Sequence, residues 1–394
     1  MILPTQRRQK NTWKIAFMKL CRNVMFIIPV IALFFTENGL TLTQISLLQS
    51  CFSIALLSLE IPTGYISDRW GRKTSLIIGH IVIILWYVAY RWGNDFGTFL
   101  IAELILALGW ACVSGSDSAL LYDTLDQAGK ATAAKKREGR IWFAGDIAAV
   151  IGGVAWWFLW HLYGFDGLRL MSAGMVALTL PVAFSLQEIR APEHVHHTYH
   201  MMGDLNAMVT HLKTNTRMLR FILFTGILSY CSYALVRSQQ QWLATLGAPV
   251  AWFGVLRAGA KLCTAWGGLF AHTYDAKVGH RRWWLGLLAA MIFAYGLLAV
   301  SSSWIVAFAW LCLAFAARGI QAPLGTYYLN EQATSKLRAT MLSSMSMVHR
   351  LFYAILLPIQ WRIGDTYGYP VMFVTAGIFF VFVWGISLVQ MLKN

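Results

Sequence analysis

Eleven charged residues lie inside long apolar runs of this sequence, where an ionised side chain needs a partner of opposite charge or a polar cavity. Seven of the eleven are basic and four are acidic. Basic side chains that meet in such a place bind carboxylate or phosphate groups through charge-assisted hydrogen bonds. Carboxyl groups in such a place can gain and lose a proton near physiological pH. The residue types therefore favour a site that binds an anion and exchanges protons.

The candidate anion site is built mainly from deep basic residues in the second half of the chain. Arg257 and Lys261 are four residues apart, so both project from one face of a helix. Lys261, Arg318 and Arg350 fall near the centres of their apolar runs, and Arg22 is expected to face them from the first half. The predicted anion-binding set is Arg22, Arg257, Lys261, Arg318 and Arg350.

An alternative makes these cations structural. Each would then be neutralised by an acidic residue across the interior, or would extend its charged end to water, as for Arg237 and Lys19. The acids available for such pairs are Glu60, Asp117 and Asp146.

The same three acids are the predicted proton carriers, because each carboxyl group would sit in a poorly solvated cavity. Asp117 and Asp146 lie at similar depths in neighbouring apolar runs. The competing interpretation is a structural ion pair of either acid with Arg22 or Arg140.

The elements that must position these residues are membrane-spanning helices. The chain is 58% hydrophobic and contains 18 Trp in 394 residues, and apolar runs long enough to cross a bilayer recur along it. They predict an all-α polytopic membrane protein with twelve transmembrane helices, near residues 14–35, 43–66, 74–92, 98–122, 140–161, 168–187, 219–241, 250–272, 283–301, 304–329, 339–361 and 369–391.

Lys and Arg are distributed unevenly over the predicted loops. The side that holds both termini carries 22 of them and the opposite side carries three. Since positive loops stay in the cytoplasm, both termini are predicted to be cytoplasmic. The net charge of +15 is then a topology signal and indicates no nucleic-acid partner. The compact chain suits a bacterial inner membrane.

The twelve predicted helices divide into two halves with related sequence patterns. The stretch GSDSALLYDTLD of the fourth helix stands where the tenth has IQAPLGTYYLNE. We predict two pseudo-symmetric six-helix bundles, residues 1–187 and 218–394, with a cytoplasmic central loop at 188–217. Parallel repeats of this kind are typical of one large class of transporters.

The loop GYISDRWGRK, between the second and third predicted helices, resembles the signature of the major facilitator superfamily. The resemblance implies that family's fold and a conformational latch on the cytoplasmic side. In such a latch Asp68 would lie against the N-terminal end of the eleventh helix, near 338–340, and Arg72 would pair with Asp123. The implied latch residues are Gly64, Asp68, Arg69, Gly71, Arg72, Lys73 and Asp123.

Two other motifs of the superfamily depart from its pattern here. The fourth helix lacks the arginine signature of many proton-coupled members, and the fifth lacks the proline of the drug-antiporter signature. Both gaps weaken a multidrug-antiporter interpretation.

The sequence therefore predicts a secondary transporter that works by alternating access. We expect it to move a small organic anion or amphiphilic metabolite, polycarboxylate-like or siderophore-like, with protons as the coupling ion. We expect a monomer in the bilayer, no cofactor and no metal site. The alternatives are a multidrug efflux proton antiporter and, from another class, a non-transporting sensor. No catalytic motif predicts an enzyme.

Overall fold

The computed structural model describes residues 4–130, 134–189, 216–278, 283–332 and 338–392. These residues form helices and their connections, without a β-strand among them. The helices are α1 Pro4–Asn23, α2 Ile31–Glu37, α3 Leu42–Trp70, α4 Arg72–Ala89, α5 Phe96–Val113, α6 Ser116–Asp126, α7 Ala134–Ala177, α8 Thr179–Phe184, α9 Thr216–Thr245, α10 Phe253–Val278, α11 Trp283–Ala299, α12 Trp304–Gln332, α13 Arg338–Tyr367 and α14 Tyr369–Leu392. The all-α prediction is confirmed.

Six described helical segments are long and apolar enough to cross a membrane. They are Leu42–Glu60, Arg72–Ala89, Phe96–Asp126, Arg137–Phe184, Met218–Thr245 and Trp304–Leu329, and two shorter apolar segments are Trp284–Ala299 and Tyr369–Val383. Three other long helices, α1, α10 and α13, carry deep basic residues that the sequence singled out.

Two predicted helices are broken in the structure. The predicted helix 14–35 is α1 and α2, separated by turns that contain Pro29, whose missing N–H group cannot continue the helical ladder. The predicted helix 98–122 is α5 and α6. Between them Gly115 has φ +83°, a left-handed conformation that glycine adopts without a steric cost. The continuous helices expected at both places were wrong.

The predicted fifth and sixth helices, 140–161 and 168–187, are separated as expected. The run labelled α7, Ala134–Ala177, contains two helical segments that meet at a kink at Gly164, where φ is 57° and ψ is −162°. The short helix α8 follows it. Glycine at the kink lets two apolar segments follow each other without an extended loop.

The chain forms two compact units. Unit 1 contains Met1–Leu40, Cys51–His197 and Ala251–Ala258, and unit 2 contains Thr41–Ser50, Thr198–Val250 and Gly259–Asn394. In unit 1, α4 packs on α5 and α1 packs on α7; in unit 2, α9 packs on α12 and α13, and α11 packs on α14. Most of the predicted central loop, 188–217, lies outside the described residues.

Candidate functional site

The guanidinium group of Arg318, on α12, lies over an aromatic ring of α9. Its guanidinium carbon is 3.9 Å from the centroid of the Tyr233 ring. Tyr353 of α13 meets the same ring at 5.8 Å, edge to face. Tyr233 is 41% exposed, so the ring and its cation border accessible space. A cation held over a tyrosine ring in this way is oriented by the ring's quadrupole.

Two further guanidinium groups lie near enough to Tyr233 to influence it electrostatically. The positive charges of Arg237 and Arg350 both act on its phenol, together with that of Arg318. We call Arg237, Arg318, Arg350 and Tyr233 the arginine cluster. Among the described residues, Nη1 of Arg318 and Nε of Arg237 are buried and have no hydrogen-bond partner. Donors of this kind are costly to leave unmet, so the cluster is suited to an anion.

Arg237 differs from the alternative interpretation, which extended its charged end toward water. It lies one helical turn from Tyr233 on α9, and its half-buried side chain acts on that phenol. Tyr233 itself was missed in the sequence. The spacing of four residues between Tyr233 and Arg237 was the available signal.

The carboxylate of Asp365, on α13 in unit 2, lies far from the arginine cluster. Asp365 follows Arg350 on α13 by fifteen residues, which is about 20 Å along a helix. Its two oxygens accept hydrogen bonds from the backbone N–H groups of Leu42, at 2.9 Å, and Thr43, at 2.8 Å. Asp365 therefore caps the first turn of α3 and does not neutralise the cluster.

Two other members of the predicted anion site lie on α10. Arg257 and Lys261 are both half-buried and both have polar interactions of their own. Their part in anion binding stays a prediction.

In unit 1, Asp117 holds two cations at once. Nη2 of Arg22 is 2.9 Å from Asp117 Oδ2, and Nζ of Lys19 is 3.6 Å from the same oxygen. Arg22 also lies 5.1 Å from the centre of the Trp110 ring. Both basic residues are only 4% exposed. Lys19 therefore does not extend to water, and Arg22 has the carboxylate partner that the alternative interpretation gave it.

The break between α5 and α6 positions Asp117. Gly115 turns the chain, and Asp117 then stands in the first turn of α6. Its Oδ1 accepts a hydrogen bond from the backbone N–H of Ser118, at 2.7 Å. A carboxylate at a helix N-terminus is stabilised by the helix dipole. Three neighbours thus favour the ionised form of Asp117: the N-terminal end of α6, Arg22 and Lys19.

The other two predicted proton carriers are Glu60 on α3 and Asp146 on α7. Both are half-buried, and both have polar interactions. Their role in proton transfer stays a prediction.

The signature loop contains the predicted ion pair between Arg72 and Asp123. Nη1 of Arg72 also donates to the carbonyl oxygen of Ala119, at 2.7 Å. Gly64, Asp68 and Arg69 stand on α3, which continues to Trp70 and so is longer than predicted. Of residues 338–340, proposed to meet Asp68, the structure describes the backbone at the start of α13 and not the side chains.

Glu188 completes this loop and was missed in the sequence. Its Oε1 and Oε2 accept the backbone N–H groups of Arg72 and Lys73, both at 2.9 Å. Gly71 has φ +99°, and a Cβ there would lie 2.5 Å from Glu188 Oε2. The glycine of the signature is therefore required by its conformation and by the carboxylate that caps α4. An acid just after the sixth predicted helix was the available signal.

Comparison with known proteins is consistent with this architecture. The family model described as Major Facilitator Superfamily matches residues 17–256. The curated protein "Multidrug resistance protein MdtL" of Klebsiella pneumoniae (strain 342) is 22% identical over 206 residues, 52% of this chain and 52% of that protein. The match thus spans about half the length of that relative.

Solved structures share the fold over nearly the whole chain. The nucleoside transporter NupG has a TM-score of 0.81 at 13% identity, and the match covers 98% of this chain and 99% of that one. A bacterial homologue of the human lysosomal transporter Spinster, inward-facing and unoccupied, has a TM-score of 0.74 at 16% identity, covering 99% and 97%. Since the family model matches well over half of the sequence, the chain belongs to the Major Facilitator Superfamily.

Proposed function

We propose that this secondary transporter moves a small organic anion across the membrane by alternating access. The observation that carries the proposal is the arginine cluster of unit 2. Three guanidinium groups act on one phenol, and Arg237 and Arg318 each keep a buried nitrogen without a hydrogen-bond partner among the described residues. A bidentate carboxylate, sulfonate or phosphate would satisfy such donors.

The contrast between the two units supports the same proposal. In unit 1 the deep cations Lys19 and Arg22 share the carboxylate of Asp117. In the described part of unit 2, Asp365 is engaged at the start of α3. A cationic substrate would have to approach three arginines, so the charge of the cluster argues against lipophilic cations.

The experiment is a ligand panel on the purified protein. The anions are citrate, tricarballylate, benzenesulfonate and inorganic phosphate, and the cations are tetraphenylphosphonium and ethidium. Binding to the folded state raises Tm, by a few degrees when the ligand is at about 100 times Kd. We expect an organic anion to raise Tm and the two cations to have no effect. Stabilisation by the cations alone would overturn the proposal.

A multidrug efflux antiporter is the second candidate, and one finding favours it. The curated relative with a partial match is named a multidrug resistance protein. In that case the acids of the first half, Glu60, Asp117 and Asp146, would face a cationic drug. The panel separates the two candidates, since they predict opposite ligand charges.

Protons are the proposed coupling ion, with Glu60, Asp117 and Asp146 as the carriers taken from the sequence. We further propose a monomer in a bacterial inner membrane with both termini in the cytoplasm. The signature loop would then act as a latch on the cytoplasmic side.

Replacing Asp68 with Asn tests the latch. Asp68 is exposed at the end of α3, so the change removes one carboxylate charge without opening a cavity. We expect uptake to fall about three- to tenfold, the effect of losing one charge at a helix N-terminus, while expression is unchanged. The matched control is Asp126→Asn, another exposed carboxylate, at the end of α6. Equal uptake by wild type and Asp68→Asn would exclude the latch.

A further inference from the structure

His349 of α13 lies between two hydroxyl groups of α9. Its Nδ1 is 3.1 Å from Ser229 Oγ, and its Nε2 is 3.2 Å from Thr225 Oγ1. Thr225 and Ser229 are four residues apart, so they present their hydroxyls on one face of α9. The sequence interpretation assigned His349 no role.

The hydrogen bonds on either side of His349 determine its tautomer. Thr225 donates its only hydroxyl proton to the carbonyl oxygen of Ile222, at 3.0 Å, so its oxygen must accept from Nε2–H of His349. At the other end, Nε2 of Gln321 donates to Ser229 Oγ at 2.8 Å. In the neutral form of His349 the proton is therefore on Nε2, and the Ser229 hydroxyl donates to Nδ1. The chain of hydrogen bonds then runs in one direction from Gln321 to Ile222.

This hydrogen-bond chain begins beside the arginine cluster. Gln321 follows Arg318 by three residues on α12, and Ser229 precedes Tyr233 by four residues on α9. Two contacts therefore join α9 and α12, about 5 Å apart along the helix axis. One is between Arg318 and Tyr233, and the other is between Gln321 and Ser229. Gln321 is only 7% exposed, and its Oε1 has no hydrogen-bond partner among the described residues.

We propose that His349 is the proton-binding group of the anion site, which rests on the proposed function. A proton added at Nδ1 forms one N–H bond and breaks none within the protein. The new N–H then donates to Ser229 Oγ, so the Ser229 hydroxyl must turn away. Rotation of the Gln321 carboxamide brings Oε1 to that hydroxyl and satisfies the unmet acceptor. The amide nitrogen of Gln321, now released from Ser229, becomes a donor one helical turn from Arg318.

The Gln321 side chain couples this proton to the anion. The elements that pack against α13 are α9, α12 and α14. Among the described side chains, α14 carries no charged residue at this level. The charged and phenolic residues at neighbouring positions of these helices are Tyr233 and Arg237 on α9, Arg318 on α12, and Arg350 and Tyr353 on α13 itself. Protonation of His349 adds the released N–H donor of Gln321 to those of Arg318, so it strengthens the binding of an anion there. Anion binding must therefore favour protonation of His349, and protonation must strengthen anion binding by the same factor.

Calorimetry on the purified full-length protein tests this coupling. Binding of benzenesulfonate, or of citrate at a pH where it is fully ionised, is measured in buffers of different ionisation enthalpy to count protons taken up per anion. For the wild type we expect uptake approaching one proton per anion. In the pH range where anion binding protonates His349, each rise of one pH unit should lower the anion affinity about tenfold. For His349→Gln we expect anion binding with no proton uptake and with a flat pH dependence.

The control variant is His161→Gln, which changes an exposed histidine on α7 of unit 1 and should behave as the wild type does. Two results would overturn the proposal: wild type that binds an anion without taking up a proton, or His349→Gln that still takes one up. The first of these results is measured on the wild type alone. The proposal can therefore be refuted even if the His349→Gln protein folds poorly. Absence of any anion binding by the wild type would instead refute the proposed function.

Discussion

Arg318→Ala is expected to lower the affinity for the stabilising anion about 10- to 100-fold, because charge-assisted hydrogen bonds to a buried guanidinium are lost. Arg318 lies 3.9 Å from the Tyr233 ring and has a buried Nη1 without a partner among the described residues. The variant should bind the anion weakly while it keeps its fold, since the side chain is half-buried and faces a polar cluster. Titration of Tm against anion concentration measures the change.

Two further variants separate geometry from charge. Arg318→Lys keeps the positive charge but loses the planar fork and most of the stacking on Tyr233, so an intermediate loss of affinity is expected. Arg362→Ala removes an equal charge from an exposed position on the same helix as Arg350, and it should change affinity little. If Arg318→Ala and Arg362→Ala weaken binding equally, the cluster is not the anion site.

Asp117→Asn is expected to cost about 3–5 kcal/mol of stability, because it leaves two buried cations without their carboxylate. Arg22 and Lys19 both contact Asp117 Oδ2, and both are 4% exposed. The protein should express poorly or unfold at a much lower temperature. The effect is measured as the change in Tm of the purified protein in detergent, together with its expression level.

The same substitution distinguishes the two roles considered for Asp117. The matched control is Asp126→Asn, since Asp126 is exposed at the end of α6; surface substitutions usually change stability by at most about 0.5 kcal/mol. Removing all three charges, as in Lys19→Gln, Arg22→Gln and Asp117→Asn together, should recover part of the lost stability. A stable Asp117→Asn protein that loses only its pH-dependent transport would show that Asp117 carries the proton, as the sequence suggested.

Much of the fold followed from local patterns. Apolar runs of bilayer length predicted helices, because the backbone of a membrane segment must satisfy its own hydrogen bonds. The spacing of GYISDRWGRK predicted both the family and the ion pair between Arg72 and Asp123. The breaks at Pro29 and Gly115 were missed, since one residue inside an apolar run changes its average hydropathy little while it changes the backbone locally.

By itself, the sequence determined the helical class and the family, since these depend on composition and short-range spacing. Only the tertiary structure decided which of those charges meet. Arg22 and Lys19 share Asp117, 95 or more residues away along the chain, whereas the charges of Arg237, Arg318 and Arg350 act together on Tyr233. Helix rotation and packing set such contacts, and the energy of a charge depends on neighbours within a few ångströms that have no regular spacing in the sequence.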